Sequence, residues 1–231
     1  MEKFVISVGG SLIVPNEGIN TQFLKHLNNF IRQQLATDEH RQFFLVSGGG
    51  MTTRHYQEAA KDVIGHELPD SDIDWLGLHA TRLNGHLLRT IFYDIAHPRI
   101  VENYDHKLEN LHERLVIGAG WKPGWSTDYC AVQLAEDYGV KTVINLSNID
   151  QVYDKDPKKF SDAIPLPAIS WTDFRKIVGD TWTPGMNAPF DPIASKKAQG
   201  LGLKVIVMNG NPFDNLLNYF AKKEFVGTVI Q

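Results

Sequence analysis

Glycine-rich segments supply the residues most suited to chemistry in this sequence. The segment SGGGMTTR, residues 47–54, separates an apolar run from a helical pattern that carries Arg54. Glycines let a backbone approach a ligand without a Cβ atom in the way. The first N–H groups of a helix are unpaired and lie at the positive end of its dipole. The segment therefore indicates phosphate binding, although a tight turn requiring positive φ angles would have the same composition.

Two further segments have the same character. Residues 9–11 (GGS) end the first apolar run, and residues 118–128 read GAGWKPGWSTD before another helical pattern. An N-cap explains one of the three polar residues 126–128, but not all three. Trp121 and Trp125 are candidates either for stacking on a base or for ordinary packing. Because ligands of parallel sheets bind beyond the carboxyl ends of the strands, we expect the three segments to converge on one chain of phosphates.

Other chemistries are disfavoured by the sequence. Neither the Walker A spacing nor G-x-G-x-x-G is present, and there is no G-x-S-x-G elbow or clustered His/Cys set suited to zinc. The formal net charge of −4 and the pI of about 6.1 give no general attraction to nucleic acid or anionic membranes. A single cysteine, Cys130, excludes an internal disulfide and suits a reducing compartment, so we expect a cytoplasmic protein.

Apolar runs alternate with amphipathic stretches along the chain. Strands are predicted at residues 4–8, 43–46, 115–117, 142–146 and 204–208, and residues 226–230 can close the sheet. A long helix is expected to bury the stripe Leu76, Leu83, Leu87, Ile91 and Ile95. The pattern predicts one α/β domain over residues 1–231, in which a largely parallel sheet is covered on both faces as a three-layer αβα sandwich.

Longer segments resemble a known family. They are GGSLIVP (9–15), SGGGMTTRHYQEAA (47–60), DWLGLHATRLNGHLL (74–88), GWKPGWSTDYCAVQLAE (120–136), NIDQVYDKDP (148–157) and DPIASKKAQGLGLKVIVMNG (191–210). Their order and content are similar to the amino acid kinase family, and most similar to its archaeal-type uridylate kinases. The resemblance implies the carbamate kinase-like fold. It also implies transfer of a phosphate from ATP to UMP with Mg²⁺, an ATP side at about residues 140–231, and a dimer-based homo-oligomer such as a hexamer.

The resemblance also implies site residues by matched position. For ATP they are Gly10, Ser11, Gly50, Arg54, Ser147, Tyr153 and Asp156. For UMP they are Gly49, Asp74, Trp121, Lys122, Pro123, Gly124, Trp125, Ser126 and Thr127. For catalysis they are Arg54, Asp128, Asp191 and Lys196.

The sequence departs from the family at several of these positions. Ser7 stands where many relatives carry a catalytic lysine, although archaeal-type uridylate kinases also lack that lysine. Met51 stands where lysine is common, and Trp121 and Trp125 replace smaller or more polar residues. Two alternatives therefore stay open: a kinase of the same fold for another small phosphate or carboxylate, and a non-catalytic relative that binds nucleotides or oxyanions.

Overall fold

The computed structural model describes residues 1–181, 186 and 188–231, and its framework is a seven-stranded sheet. The strands are β1 (Glu2–Val8), β2 (Arg41–Ser47), β3 (Leu115–Gly118), β4 (Thr142–Ser147), β5 (Ala168–Ile169), β6 (Lys204–Asn209) and β7 (Thr228–Ile230). The helices are α1 (Gly10–Ile13), α2 (Thr21–Thr37), α3 (Gly50–Ile64), α4 (Asp70–Ile91), α5 (Thr127–Tyr138), α6 (Trp171–Val178), α7 (Pro192–Gly200) and α8 (Asp214–Phe220).

The strand order is β3-β2-β1-β4-β6-β7-β5. The first five strands in this order run parallel, and β7 is antiparallel to β6. Apolar clusters cover both faces of the sheet, which confirms the predicted three-layer αβα architecture. Each strand predicted from an apolar run is present within a few residues of its expected bounds, because such runs suit strands buried on both faces.

Side chains that point alternately to the two faces of each central strand contribute to two separate apolar cores. In β1, Ile6 and Val8 contribute to a core that α2, α4 and α8 also line, whereas Val5 contributes to a core shared with α5, α6 and α7. Successive side chains of a strand point to opposite faces, so every apolar residue of a central strand has a helix to pack against. Ser7 lies on the same face as Val5, the side covered by α5.

Helix α4 differs from the sequence prediction. It ends at Ile91, so Ile95 is outside it, and Leu83 of the expected apolar stripe is 64% exposed. The buried face includes Ile73, Leu78 and Leu88 together with the polar residues Asp74, Thr81 and Asn84. The predicted stripe was therefore wrong at Leu83, whereas Leu87, Ile91 and Ile95 are half-buried and pack against the core.

The topology places one crevice at the carboxyl ends of the central strands. Strand β1 lies between β2 and β4. From β1 the chain forms β2 and then β3 on one side, and it later crosses to the other side of β1 to form β4 and β6. Ligands of open α/β sheets bind at such a switch point. In the described part of the chain, no helix is long and apolar enough to cross a membrane.

Candidate functional site

A cleft of about 750 Å³ opens at this switch point. Its lining comes from the segments that follow β1, β2 and β4, from the first halves of α3 and α4, and from the start of α5. It therefore lies where the sequence predicts that ligand-binding turns converge. The third glycine segment contributes through its later residues, Trp125, Ser126, Thr127 and Asp128.

The turns after β1 and β2 are in direct backbone contact. A Cβ atom on Gly10 would collide with the backbone nitrogen of Gly50, and one on Gly50 would collide with the carbonyl oxygen of Gly10. Gly50 also has a φ of 64°, a conformation that disfavours other residues. Both residues begin helices, so their N–H groups have no acceptor within those helices. The contact brings the amides that begin two helices to the same wall of the cleft.

Asn84 of α4 fixes the turn after β2. Its side chain is only 3% exposed, and its amide nitrogen donates to the carbonyl oxygens of Gly48 (2.8 Å) and Gly49 (3.1 Å). The hydroxyl of Ser47 donates to the carbonyl oxygen of Thr81 at 2.9 Å. The two bonds from Asn84 orient the carbonyl groups of Gly48 and Gly49 towards α4.

Thr81 and Arg82 of α4 fix the segment after β3. The Thr81 hydroxyl accepts a hydrogen bond from the Gly120 amide at 2.8 Å. The Arg82 guanidinium donates to the carbonyl oxygens of Gly120 (3.1 Å) and Trp121 (2.7 Å), and it lies 3.3 Å from the carboxylate of Glu102. One turn of α4 thus holds two of the three glycine segments in place.

Asp74 joins α4 to the loop that precedes α5. It is the fifth residue of α4 and is not its N-cap, which is Pro69. Its Oδ2 atom accepts a hydrogen bond from the Gly124 amide at 2.7 Å, and the carboxylate lines the cleft. Burial raises the pKa of Asp74, while the Gly124 bond opposes that change. No described residue donates a hydrogen bond to the second carboxylate oxygen, which leaves that atom available to a ligand hydroxyl.

Asp128 lies at the base of the cleft between β1 and α7. Its Oδ1 atom accepts from the Ser7 hydroxyl at 3.1 Å, and its Oδ2 atom accepts from the Asp191 amide at 3.2 Å. Burial, reinforced by the nearby Asp191 carboxylate, raises the pKa of Asp128 from 3.8 to about 7. Burial also raises the pKa of Asp191, which caps α7 by accepting from the Ala194 amide at 2.6 Å. The carboxyl group of Asp128 is therefore partly protonated near neutral pH.

Side chains alone give the cleft little positive charge. Among the described residues that line it, Arg54 is the single Lys or Arg, whereas Glu17, Asp74, Asp128 and Asp191 are acidic. Arg54 lies 3.8 Å from the Met51 sulfur. An anion in this cleft must therefore be held mainly by backbone N–H groups and by any cation that accompanies it.

The structure brings most of the sequence-predicted site residues to the cleft. They are Gly10, Ser11, Gly49, Gly50, Arg54, Asp74, Trp125, Ser126, Thr127, Asp128, Ser147 and Asp191. Outside the lining are Trp121, Lys122, Pro123, Gly124, Tyr153, Asp156 and Lys196. The assignment of the residues in both groups to particular ligands stays a prediction.

The residues outside the lining have distinct surroundings. Gly124 and Trp121 contact the site indirectly, through their bonds to Asp74 and Arg82. Tyr153 forms an isolated β-bridge with Pro165. Lys196 is exposed on α7, whereas its neighbour Lys197 pairs with Glu136 of α5 at 2.7 Å.

Sequence reasoning gave no definite role to several residues that shape the site. Thr81, Arg82 and Asn84 lie in the segment 74–88 that resembles the family, but the sequence does not assign a role to any of them. Asn145 on β4 was also missed, although it lines the cleft and donates to the Pro189 carbonyl oxygen at 2.9 Å. The available signal was a cluster of polar residues within an otherwise apolar helical pattern.

Comparisons with known proteins agree with this arrangement. The sequence model described as the amino acid kinase family matches residues 2–209. Uridylate kinase from Methanoculleus marisnigri is 30% identical over 232 residues, covering 100% of this chain and 96% of that protein. Uridylate kinase from Methanothermobacter thermautotrophicus is 34% identical over 232 residues, covering 99% and 98%. The crystal structure of uridylate kinase from Archaeoglobus fulgidus has a TM-score of 0.81 at 30% identity, over 100% of both chains.

Replacing Asn84 tests whether α4 fixes the turn after β2. Asn84→Ala leaves the carbonyl groups of Gly48 and Gly49 without their buried donor, so we expect a loss of about 1–3 kcal/mol in the free energy of unfolding. Urea denaturation measures it. Leu83→Ala is the matched control on the exposed side of the same turn, with an expected change within about 0.5 kcal/mol. Equal losses in the two variants would contradict the role of Asn84.

Replacing Asp128 tests its raised pKa. Because the folded chain holds a proton on Asp128 that the unfolded chain releases above pH 3.8, this group stabilises the fold at low pH. Its contribution is lost as the pH rises to about 7. Asp128→Asn stays neutral, so its stability relative to the unsubstituted protein should rise between pH 4 and 7 and then level off. The rise is at most about 4 kcal/mol.

Urea denaturation at a series of pH values measures this difference for Asp128→Asn. A difference that is constant from pH 4 to 8 would show that the Asp128 carboxyl group titrates normally in the folded protein.

Proposed function

The chain belongs to the amino acid kinase family, and we propose that it is a uridylate kinase, which transfers the terminal phosphate of ATP to UMP and yields UDP and ADP. The observation that carries this proposal is the backbone contact between the turns at Gly10 and Gly50. It gives one cleft two adjacent sets of amide donors, as two phosphate-bearing substrates require. We infer UMP as the acceptor because similar proteins are named uridylate kinases.

The two ends of the cleft suit different substrates. Asp74 and Trp125 lie at the end reached by α4 and the α5 loop, and we assign this end to UMP, with the free carboxylate oxygen of Asp74 accepting from a ribose hydroxyl. Ser147, at the end of β4, marks the opposite end, which we assign to ATP. Gly10 and Gly50 lie between these ends, where the phosphate groups of the two substrates meet.

The proposed catalysis is mainly positioning and neutralisation of charge. Phosphoryl transfer has a loose transition state, whose charge lies on the oxygens of the moving group. Preorganised amides at Gly10, Gly49 and Gly50 stabilise that charge without reorganising. Arg54, one turn into α3, adds an exposed cation. The attacking group is a phosphate oxygen that is largely ionised at neutral pH, so no general base is needed.

Mg²⁺ fits this cleft as a companion of ATP. The carboxylate, hydroxyl and amide oxygens of the lining are hard donors of the kind that Mg²⁺ prefers. Among the described residues, no group of three or more His, Cys, Asp or Glu could hold a metal ion alone. We therefore propose that the ion would be held mainly by the triphosphate and water, among the oxygen donors of the lining. When bound, it would offset the negative charge of the phosphate groups.

Asp128 has a positioning role in this proposal. It accepts hydrogen bonds from Ser7 on β1 and from the Asp191 backbone at the start of α7, and so ties these elements together beneath the phosphates. Ser7 supplies no charge where many relatives have lysine. In this proposal the backbone amides, Arg54 and Mg²⁺ would therefore neutralise the negative charge of the phosphate groups.

The direct test is a coupled assay of ADP release with ATP, Mg²⁺ and each of UMP, CMP, AMP and GMP. We expect turnover with UMP to exceed turnover with every other acceptor, in kcat/KM. ATP binding without ADP release on any acceptor would contradict the proposal in favour of a non-catalytic relative. Turnover on a different small phosphate or carboxylate alone would identify another kinase of this fold.

Removing Arg54 tests the proposed source of side-chain charge. Arg54→Ala should lower kcat by about 100- to 1000-fold, the range for losing one preorganised donor to a developing charge. The thermal unfolding midpoint should stay unchanged because the side chain is exposed. Lys61→Ala, which removes an exposed cation of α3 outside the cleft, is the matched control and should keep full activity. A kcat within twofold for Arg54→Ala would contradict this role.

A further inference from the structure

The loop between β3 and α5 carries an aromatic group at the acceptor end of the cleft. We propose that the base of the acceptor nucleotide lies against the indole of Trp125, which makes Trp125 a specificity-determining residue. This inference rests on the proposed uridylate kinase function and adds to it the surface that recognises the base.

Trp125 is held rigidly by its aromatic neighbours. Its ring centroid lies 4.6 Å from that of Trp121 and 4.3 Å from that of Tyr129, both in edge-on arrangements, and 6.3 Å from that of Tyr104. Tyr104 is itself buried, and its hydroxyl donates to the Ala119 carbonyl oxygen at 2.8 Å. Packed aromatic groups with fixed neighbours lose little conformational entropy when a ligand binds. The part of Trp125 that faces the cleft is therefore a preorganised apolar wall.

Trp121 is not equivalent to Trp125. It does not line the cleft, and the ammonium group of Lys122 lies 3.6 Å from its ring centroid, in a cation–π contact that is closer than the 5.2 Å from the same group to the centroid of Trp125. Its carbonyl oxygen accepts a hydrogen bond from Arg82. One face of the Trp121 ring is thus already occupied, and its edge-on contact supports Trp125. Of the two tryptophans that replace smaller residues of the family, Trp125 is the one that a ligand can reach.

Trp125 is the neighbour in the chain of the residue that Asp74 binds. Asp74, the proposed acceptor of a ribose hydroxyl, is bonded to the Gly124 amide, and Trp125 is the next residue. A ribose held at Asp74 therefore places its base within reach of the indole, while its 5′-phosphate points towards the glycine turns. Stacking of a base on an aromatic side chain contributes about 1–3 kcal/mol.

Ligand binding to Trp125→Ala and to the unsubstituted protein tests this assignment. The Kd for UMP should rise by about tenfold or more, the equivalent of 1.4 kcal/mol. The Kd for ribose 5-phosphate, which has the sugar and phosphate but no base, should change by less than twofold. Trp125→Phe should restore most of the affinity for UMP. The ribose 5-phosphate measurement also reports whether the loop keeps its shape.

Intrinsic fluorescence gives a second readout. UMP should change the tryptophan emission of the unsubstituted protein and of Trp75→Phe, which removes an indole of α4 that lies outside the cleft. The change should be lost in Trp125→Phe.

The outcomes separate this inference from the proposed function. If UMP binds the unsubstituted protein and Trp125→Ala equally well, the base does not lie against Trp125, and the uridylate kinase proposal stands. Equal losses for UMP and ribose 5-phosphate would also overturn the inference, since the indole would then act only on the shape of the loop. If the unsubstituted protein binds no UMP, the proposed function itself fails.

Discussion

The site depends on the contact between two backbone turns at the ends of adjacent parallel strands. Gly10 and Gly50 approach so closely that neither position has room for a Cβ atom. Parallel pairing of β1 with β2 sets this approach, because the register aligns Val8 with Ser47 and both turns begin at the same level of the sheet. The amides that begin α1 and α3 then share one wall of the cleft, which gives an acidic protein a place for phosphate groups.

Hydrogen bonds from helix α4 hold the loops around this contact in place. Asn84, Arg82 and Thr81 bond to backbone atoms of the segments after β2 and β3, and Asp74 bonds to the loop before α5. Polar groups buried in this way stabilise a protein only when they are paired, so the bonds specify one arrangement of the loops. Asp128 does the same beneath the cleft, where it accepts hydrogen bonds from the Ser7 hydroxyl and the Asp191 amide.

Much of the fold could be predicted because its signals are local. Runs such as residues 4–8 and 43–46 are apolar throughout, as strands covered on both faces must be, and glycines after them mark the turns. The buried face of α4 could not be predicted in this way. Its polar residues look like surface positions until their partners, 35 or more residues away in the chain, are known. The same limit applies to the tryptophans, since composition does not show that Lys122 covers Trp121 and that Trp125 faces the cleft.

A crystal structure of the protein with UMP and a non-hydrolysable ATP analogue tests the central claim most directly. We expect phosphate oxygens of the two nucleotides to lie within hydrogen-bonding distance of the amide nitrogens of Gly10, Gly49 and Gly50. We also expect the uracil ring to lie at Trp125 and the nucleoside part of ATP to lie at Ser147. Phosphate groups bound elsewhere, with these glycine amides left to water or apolar groups, would contradict it.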